Sequence, residues 1–163
     1  MKRFDTRIIF GLVLVFAGSM FLLENLGFFE GGINILWAIL VGSAGVASLY
    51  AFAINRENWW ALIPGGTLVA VGLNILLSAV APNLGDMIGG SIILGGIGLS
   101  FWLVFLNRRA FWWAVIPAGI MSSLAIVSLM DGLFPYGDTD GFFLVGFGMT
   151  FLLLAFLPEY GNN

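Results

Sequence analysis

The chain contains neither cysteine nor histidine among its 163 residues. Those absences exclude disulfides, thiolate and imidazole metal sites, cysteine nucleophiles and every histidine-based triad. Charge is scarce as well: Lys, Arg, Asp and Glu make up 9% of the residues, against about 25% in soluble domains. A soluble fold of this length could not cover its surface with so few. The formal net charge of −3 offers no basic field, so no nucleic-acid partner is expected. What the chain does have is apolar: 60% hydrophobic residues and a mean hydropathy of +1.04. Several apolar runs reach the roughly 17–25 residues that cross a bilayer, and the lipid bilayer is the expected solvent.

One stretch is written twice. Asn55-Arg56-Glu57-Asn58-Trp59-Trp60-Ala61-Leu62-Ile63-Pro64-Gly65-Gly66 returns as Asn107-Arg108-Arg109-Ala110-Phe111-Trp112-Trp113-Ala114-Val115-Ile116-Pro117-Ala118-Gly119. Arginine, then a tryptophan pair, then an apolar run is the order that a membrane–water boundary selects: cation in the headgroup zone, indoles at the interface, aliphatics in the hydrocarbon. The Trp pairs lie 53 residues apart, and Gly42-Ser43-Ala44-Gly45 aligns with Gly95-Gly96-Ile97-Gly98 at the same spacing. A weaker likeness joins the first apolar run to the third, and the last to the second and fourth. The expected architecture is therefore all-α: an integral membrane bundle of six transmembrane helices, built as three repeated helical hairpins in one domain. The expected spans are 8–26, 33–54, 59–80, 87–106, 111–130 and 141–157. Gly27–Gly32, Pro82–Asp86 and Asp131–Asp140 are read as turns. A signal peptide ending near Ala17-Gly18-Ser19 competes for the first run. Pro64 and Pro117 are expected to bend or loosen helices that begin near the tryptophans.

Six spans place Lys2, Arg3, Arg7, Arg56, Arg108 and Arg109, all the basic residues there are, on one side. Glu24, Glu30, Asp86, Asp131, Asp138 and Asp140 fall on the other. The positive-inside rule makes the basic side cytoplasmic and puts both termini there.

Small residues recur four apart at Ala38/Gly42, Ser43/Ala47, Ala44/Ser48, Gly85/Gly89, Ser91/Gly95 and Gly96/Ser100. Lipid tails are as apolar as leucine, so helices in a bilayer associate by close packing at such positions. The second and fourth spans, with the sixth, are expected to line the centre. Chemistry has few footholds. Asn74, with Ser78, is the deepest strongly polar residue, and an amide bonded between helices is its expected role. Asp131, Asp138 and Asp140 form an acidic loop that reads as solvated. The arginines suit anionic lipid headgroups, and the Trp pairs suit interface anchors. No residue is assigned a catalytic, cofactor-binding or metal-binding role, no cofactor is expected, and the chain is read as not an enzyme.

Residues 7–52 carry a glycine-studded helix (Gly11 to Gly18), then Glu24-Asn25-Leu26-Gly27, then Leu36-Trp37-Ala38 opening a second helix. This resembles the transmembrane hairpin of bacterial LiaI/LiaF-like membrane proteins, with Ala38 where that family usually has proline. The resemblance implies a protein of the bacterial cytoplasmic (inner) membrane acting in envelope-stress sensing. The functional expectation is a multi-pass scaffold or accessory subunit that packs against other membrane proteins or against copies of itself. The alternative is a transporter or channel for a small neutral or apolar solute.

Overall fold

The computed structural model describes residues 11, 15, 18, 19, 22, 32–134 and 139–156. The chain divides into two compact units, Met1–Asn34 and Ile35–Asn163. In the first, Gly11, Val15, Gly18, Ser19 and Leu22 are helical, and the Ser19 hydroxyl donates to the Val15 carbonyl at 2.8 Å.

Five α-helices follow in chain order: α1 (Gly32–Ile54), α2 (Leu62–Val80), α3 (Pro82–Asn107), α4 (Val115–Leu133) and α5 (Asp140–Phe156). Their apolar residues run all round rather than along one stripe, as in segments surrounded by apolar material on every side. Four segments are long and apolar enough to cross a membrane: Asn34–Ile54, Trp59–Val80, Pro82–Asn107 and Trp112–Leu133. The fifth, Gly141–Phe156, falls short. At about 1.5 Å per residue the 17 residues of α5 reach about 26 Å, less than the roughly 30 Å of a hydrocarbon core. This overturns the six-span, three-hairpin architecture: from Gly32 onward the described residues form five helices, four of them of spanning length. The expected first span (8–26), with Lys2, Arg3, Arg7, Glu24 and Glu30, lies largely or wholly outside the described residues.

Two local readings are corrected as well. Pro82-Asn83-Leu84-Gly85-Asp86 is the first part of α3, not a turn. The reversal takes one residue, Ala81 (φ −139°, ψ 77°), whose carbonyl accepts from Leu84 N and Gly85 N at 3.0 and 2.9 Å. Pro82 sits at the start of α3, where its missing N–H costs nothing. Pro64 and Pro117 each lie in the first turn of their helix, where a lost N–H costs least, so neither frees an interior carbonyl.

Neighbours in sequence pack antiparallel. Gly45 lies against Gly65 and Val69, and Gly72 against Gly42 and Ala38; Gly66 meets Ser100, and Gly89 meets Asn74; Gly98 faces Ala118 and Ser122; Gly119 faces Thr150. A methyl group added at Gly72 would come within 2.8 Å of the Gly42 Cα and 2.9 Å of the Ala38 carbonyl oxygen, so only glycine lets α1 and α2 approach this closely. Of the expected small pairs, Ala38/Gly42, Gly85/Gly89 and Gly96/Ser100 sit in these contacts, while Ser43, Ala44 and Ala47 are exposed. Among the described residues the helices flanked on both sides are therefore α2, α3 and α4. α1 is not central: in its most apolar stretch only 11% of residues are buried.

The interior is made of small residues and the exterior of large ones. Ala61, Ala114 and Ala118 are wholly buried, and Ser100, Ser123 and Thr150 are buried with them. Leu36, Ile39, Leu40, Leu99, Leu103 and Leu152 face outward. Water would penalise that arrangement by about 25 cal/mol for each Å² of apolar surface, whereas lipid does not. The chain is a multi-pass α-helical membrane protein.

Candidate functional site

The larger side chains of the interior gather at one end, where α1 turns into α2 and α3 turns into α4. Leu62, Val104, Phe105, Ala114 and Val115 form a buried cluster, with Leu49, Phe52, Trp59, Phe101 and Phe111 packed against it. This end carries the two arginine–tryptophan segments.

Both segments fold the same way. Each tryptophan pair forms a short 3-10 turn, Trp59–Ala61 and Trp112–Ala114, that runs directly into a helix of 19 residues. The residue before each turn has nearly the same backbone angles: φ −78° and ψ 44° at Asn58, φ −86° and ψ 50° at Phe111. Asn58 N donates to Asn55 O at 3.0 Å, and Phe111 N to Arg108 O at 3.0 Å. Ala61 N donates to Asn58 O at 2.9 Å, and Ala114 N to Phe111 O at 3.0 Å. At the far ends of the two helices, Ala81 N donates to Leu77 O and Phe134 N to Met130 O, both at 2.7 Å.

The arginines match too. The guanidinium carbon of Arg56 lies 5.0 Å from the centre of the Phe52 ring, and that of Arg109 lies 5.0 Å from the centre of the Phe105 ring. This is cation–π distance, and both arginines are exposed. A guanidinium laid on a ring keeps its charge and leaves its N–H edge free to bond outward. The segments also touch each other. Asn107 Nδ2 donates to the Arg56 carbonyl at 3.4 Å, and the rings of Trp59 and Phe111 are 4.6 Å apart. Arg56, Arg108 and Arg109 therefore share one end of the bundle, together with Glu57. The antiparallel packing puts Asp86 and Asp131 at the other end.

The tryptophans divide their work. Trp59 is half-buried against Phe111 and Trp113, while Trp60 and Trp112 stay exposed. Interface anchoring fits the exposed indoles, but Trp59 is a packing residue as well. Its partner Phe111 was not singled out by the sequence; an aromatic directly before the second tryptophan pair was the available signal.

Elsewhere the expected polar features separate. Asn74 packs its amide against Gly89, yet its buried Oδ1 has no hydrogen-bond partner among the described residues. The expected interhelical hydrogen bond to that oxygen is thus not found. Trp37 Nε1 is likewise buried and unpartnered among them. Ser78 lies against Gly85. Asp131 accepts a hydrogen bond from the buried Thr139 hydroxyl, so it is engaged in the structure rather than simply solvated. Asp138 and the side chain of Asp140 lie outside what the structure describes. Among the described residues no three acidic side chains come together in a way that could hold a metal ion.

No family model matches the chain, and neither a curated protein nor a solved structure matches it.

Proposed function

We propose that the protein is a non-enzymatic scaffold or accessory subunit of the bacterial cytoplasmic membrane, acting by packing against partner membrane proteins. The observation that carries this reading is the placement of its polar and apolar groups. The described ionisable side chains stand at the two ends, and between them the helix crossings are made largely by glycine, alanine, serine and threonine. A transport path usually brings ionisable groups into the membrane interior, whereas here a broad exterior of leucine, isoleucine and phenylalanine faces out to lipid or to partner helices. The arginine end is the cytoplasmic side, by the positive-inside rule. The likeness of residues 7–52 to LiaI/LiaF-like hairpins makes envelope-stress sensing the process of choice.

The two hairpins α1–α2 and α3–α4 are copies of one unit. Identical spacing of the turns, the ring-stacked arginines and the capping hydrogen bonds supports a duplication. The test of function is isolation from native membranes in mild detergent. A defined set of other membrane proteins should remain with the chain in fixed ratio. Recovery as a single species with lipid alone, from cells grown with and without envelope stress, would refute the subunit reading.

A further inference from the structure

The geometry points to a binding site, at the joined arginine–tryptophan turns, for a lipid headgroup that carries two phosphodiesters, the chemistry of diphosphatidylglycerol. The inference rests on the interfacial, bilayer-facing placement of this end.

Each turn supplies one ring-held arginine. Phe52 holds the Arg56 guanidinium and Phe105 holds that of Arg109, at the same 5.0 Å. The ring restrains each exposed guanidinium, which carries paired N–H donors that suit a phosphate's oxygens two at a time. A single phosphate needs only one such fork. Here there are two, and they belong to turns that are bonded together through Asn107 and Arg56 and through Trp59 and Phe111. Arg108 adds a third exposed cation between them in sequence, while Glu57 is the one carboxylate in the paired turns.

Both helices also expose apolar side chains to the bilayer, Val46 and Tyr50 on α1 and Leu99 and Leu103 on α3, with exposed Trp60 and Trp112 at the level of the turns. A headgroup across both forks would leave its acyl chains in the bilayer beside this exposed apolar surface. Two linked phosphates would bind as a bivalent ligand: once the first is held, the second sits at high local concentration beside its own fork. Two separate monophosphate lipids lack that advantage.

The test uses the full-length protein reconstituted into phosphatidylcholine vesicles doped with either diphosphatidylglycerol or phosphatidylglycerol at matched surface charge, with bound lipid counted after gentle extraction. Flotation with both vesicle types reports on membrane placement alone; lipid selectivity reports on this inference. The expected result is about tenfold enrichment of diphosphatidylglycerol over phosphatidylglycerol. Arg56→Gln and Arg109→Gln should each abolish the preference while the protein still floats and keeps its helical circular dichroism. Inorganic pyrophosphate in the buffer should not displace the lipid. Equal retention of the two lipids at matched charge would overturn the site, as would a preference that survives both substitutions. Full displacement by pyrophosphate would assign the forks to a soluble diphosphate instead, and would overturn it too.

Discussion

In the first hairpin, α1–α2, the crossing helices meet backbone to backbone. A methyl group added at Gly45 would come within 2.6 Å of Val69 N and 2.9 Å of the Gly65 carbonyl. In the second, α3–α4, the equivalent Gly98 has more room: the nearest atoms to an added methyl are Ser122 Oγ and N at 3.0 and 3.2 Å, and Ala118 O at 3.4 Å. The bonds beside the crossings differ as well. Ser48 Oγ reaches across to the Ala61 carbonyl at 2.9 Å in the first hairpin; in the second, Trp102 Nε1 donates to Ser122 Oγ at 3.2 Å. Yet the turns, caps and stacked arginines agree to within a few tenths of an ångström and a few degrees. One path can therefore be held by different side chains, provided a small residue stands where the helices cross and the interfacial turn repeats.

The largest effect expected from this comparison is all-or-none. The chain has no cysteine, so single cysteines report cleanly. Glu57→Cys and Ala110→Cys should react with an impermeant maleimide from the same side of the membrane, and Asp86→Cys from the opposite side. Labelling of the two arginine turns from opposite sides would break the equivalence of the hairpins.

Next in size is the contrast between the crossings. Gly45→Ala should destabilise by about 2–3 kcal/mol, because backbone atoms cannot step aside. Gly98→Ala should cost about 1 kcal/mol or less, since the nearest atoms stand at 3.0–3.4 Å and need give way by only a few tenths of an ångström. Thermal unfolding in detergent micelles measures both, and equal losses would show that the tighter crossing has no energetic meaning. Gly95→Ala, whose added methyl would meet only Ala125 Cβ at 3.8 Å, is the control and should stay within about 0.5 kcal/mol of the parent.

The side-chain bonds come after these. Ser48→Ala should cost about 0.6 kcal/mol, the usual worth of a hydrogen bond between membrane helices. Asn74→Leu should be neutral or stabilising by up to about 1 kcal/mol, because it removes a buried oxygen that has no donor among the described residues. A clear loss of stability on Asn74→Leu would show that the amide is bonded in the membrane.

Much of this fold was legible because lipid imposes simple rules. The pairing of arginine with Trp-Trp marked the turns, and glycine recurring at the same spacing marked the crossings. Legibility failed where one residue type serves two purposes. Pro82-Asn83 reads as a turn from composition, yet Ala81 alone makes the reversal and the proline opens a helix. Pro64 and Pro117 read as kinks because the 3-10 turn before each helix, which shifts the proline into the first turn, leaves no mark in the sequence. The number of spans was over-read, since apolar composition continues through α5 although the helix is too short. The stacking of Arg56 and Arg109 on Phe52 and Phe105 was readable in retrospect, as phenylalanine four residues before arginine at the end of each helix.

The one-residue reversal at Ala81 has an effect on what each compartment meets. With Val80 ending one helix and Pro82 beginning the next, almost no polypeptide projects between them, and a protease would find no strand to grip at this reversal. The paired turns at the opposite end of the same helices are the contrast, with exposed indoles and guanidiniums for a soluble factor to hold.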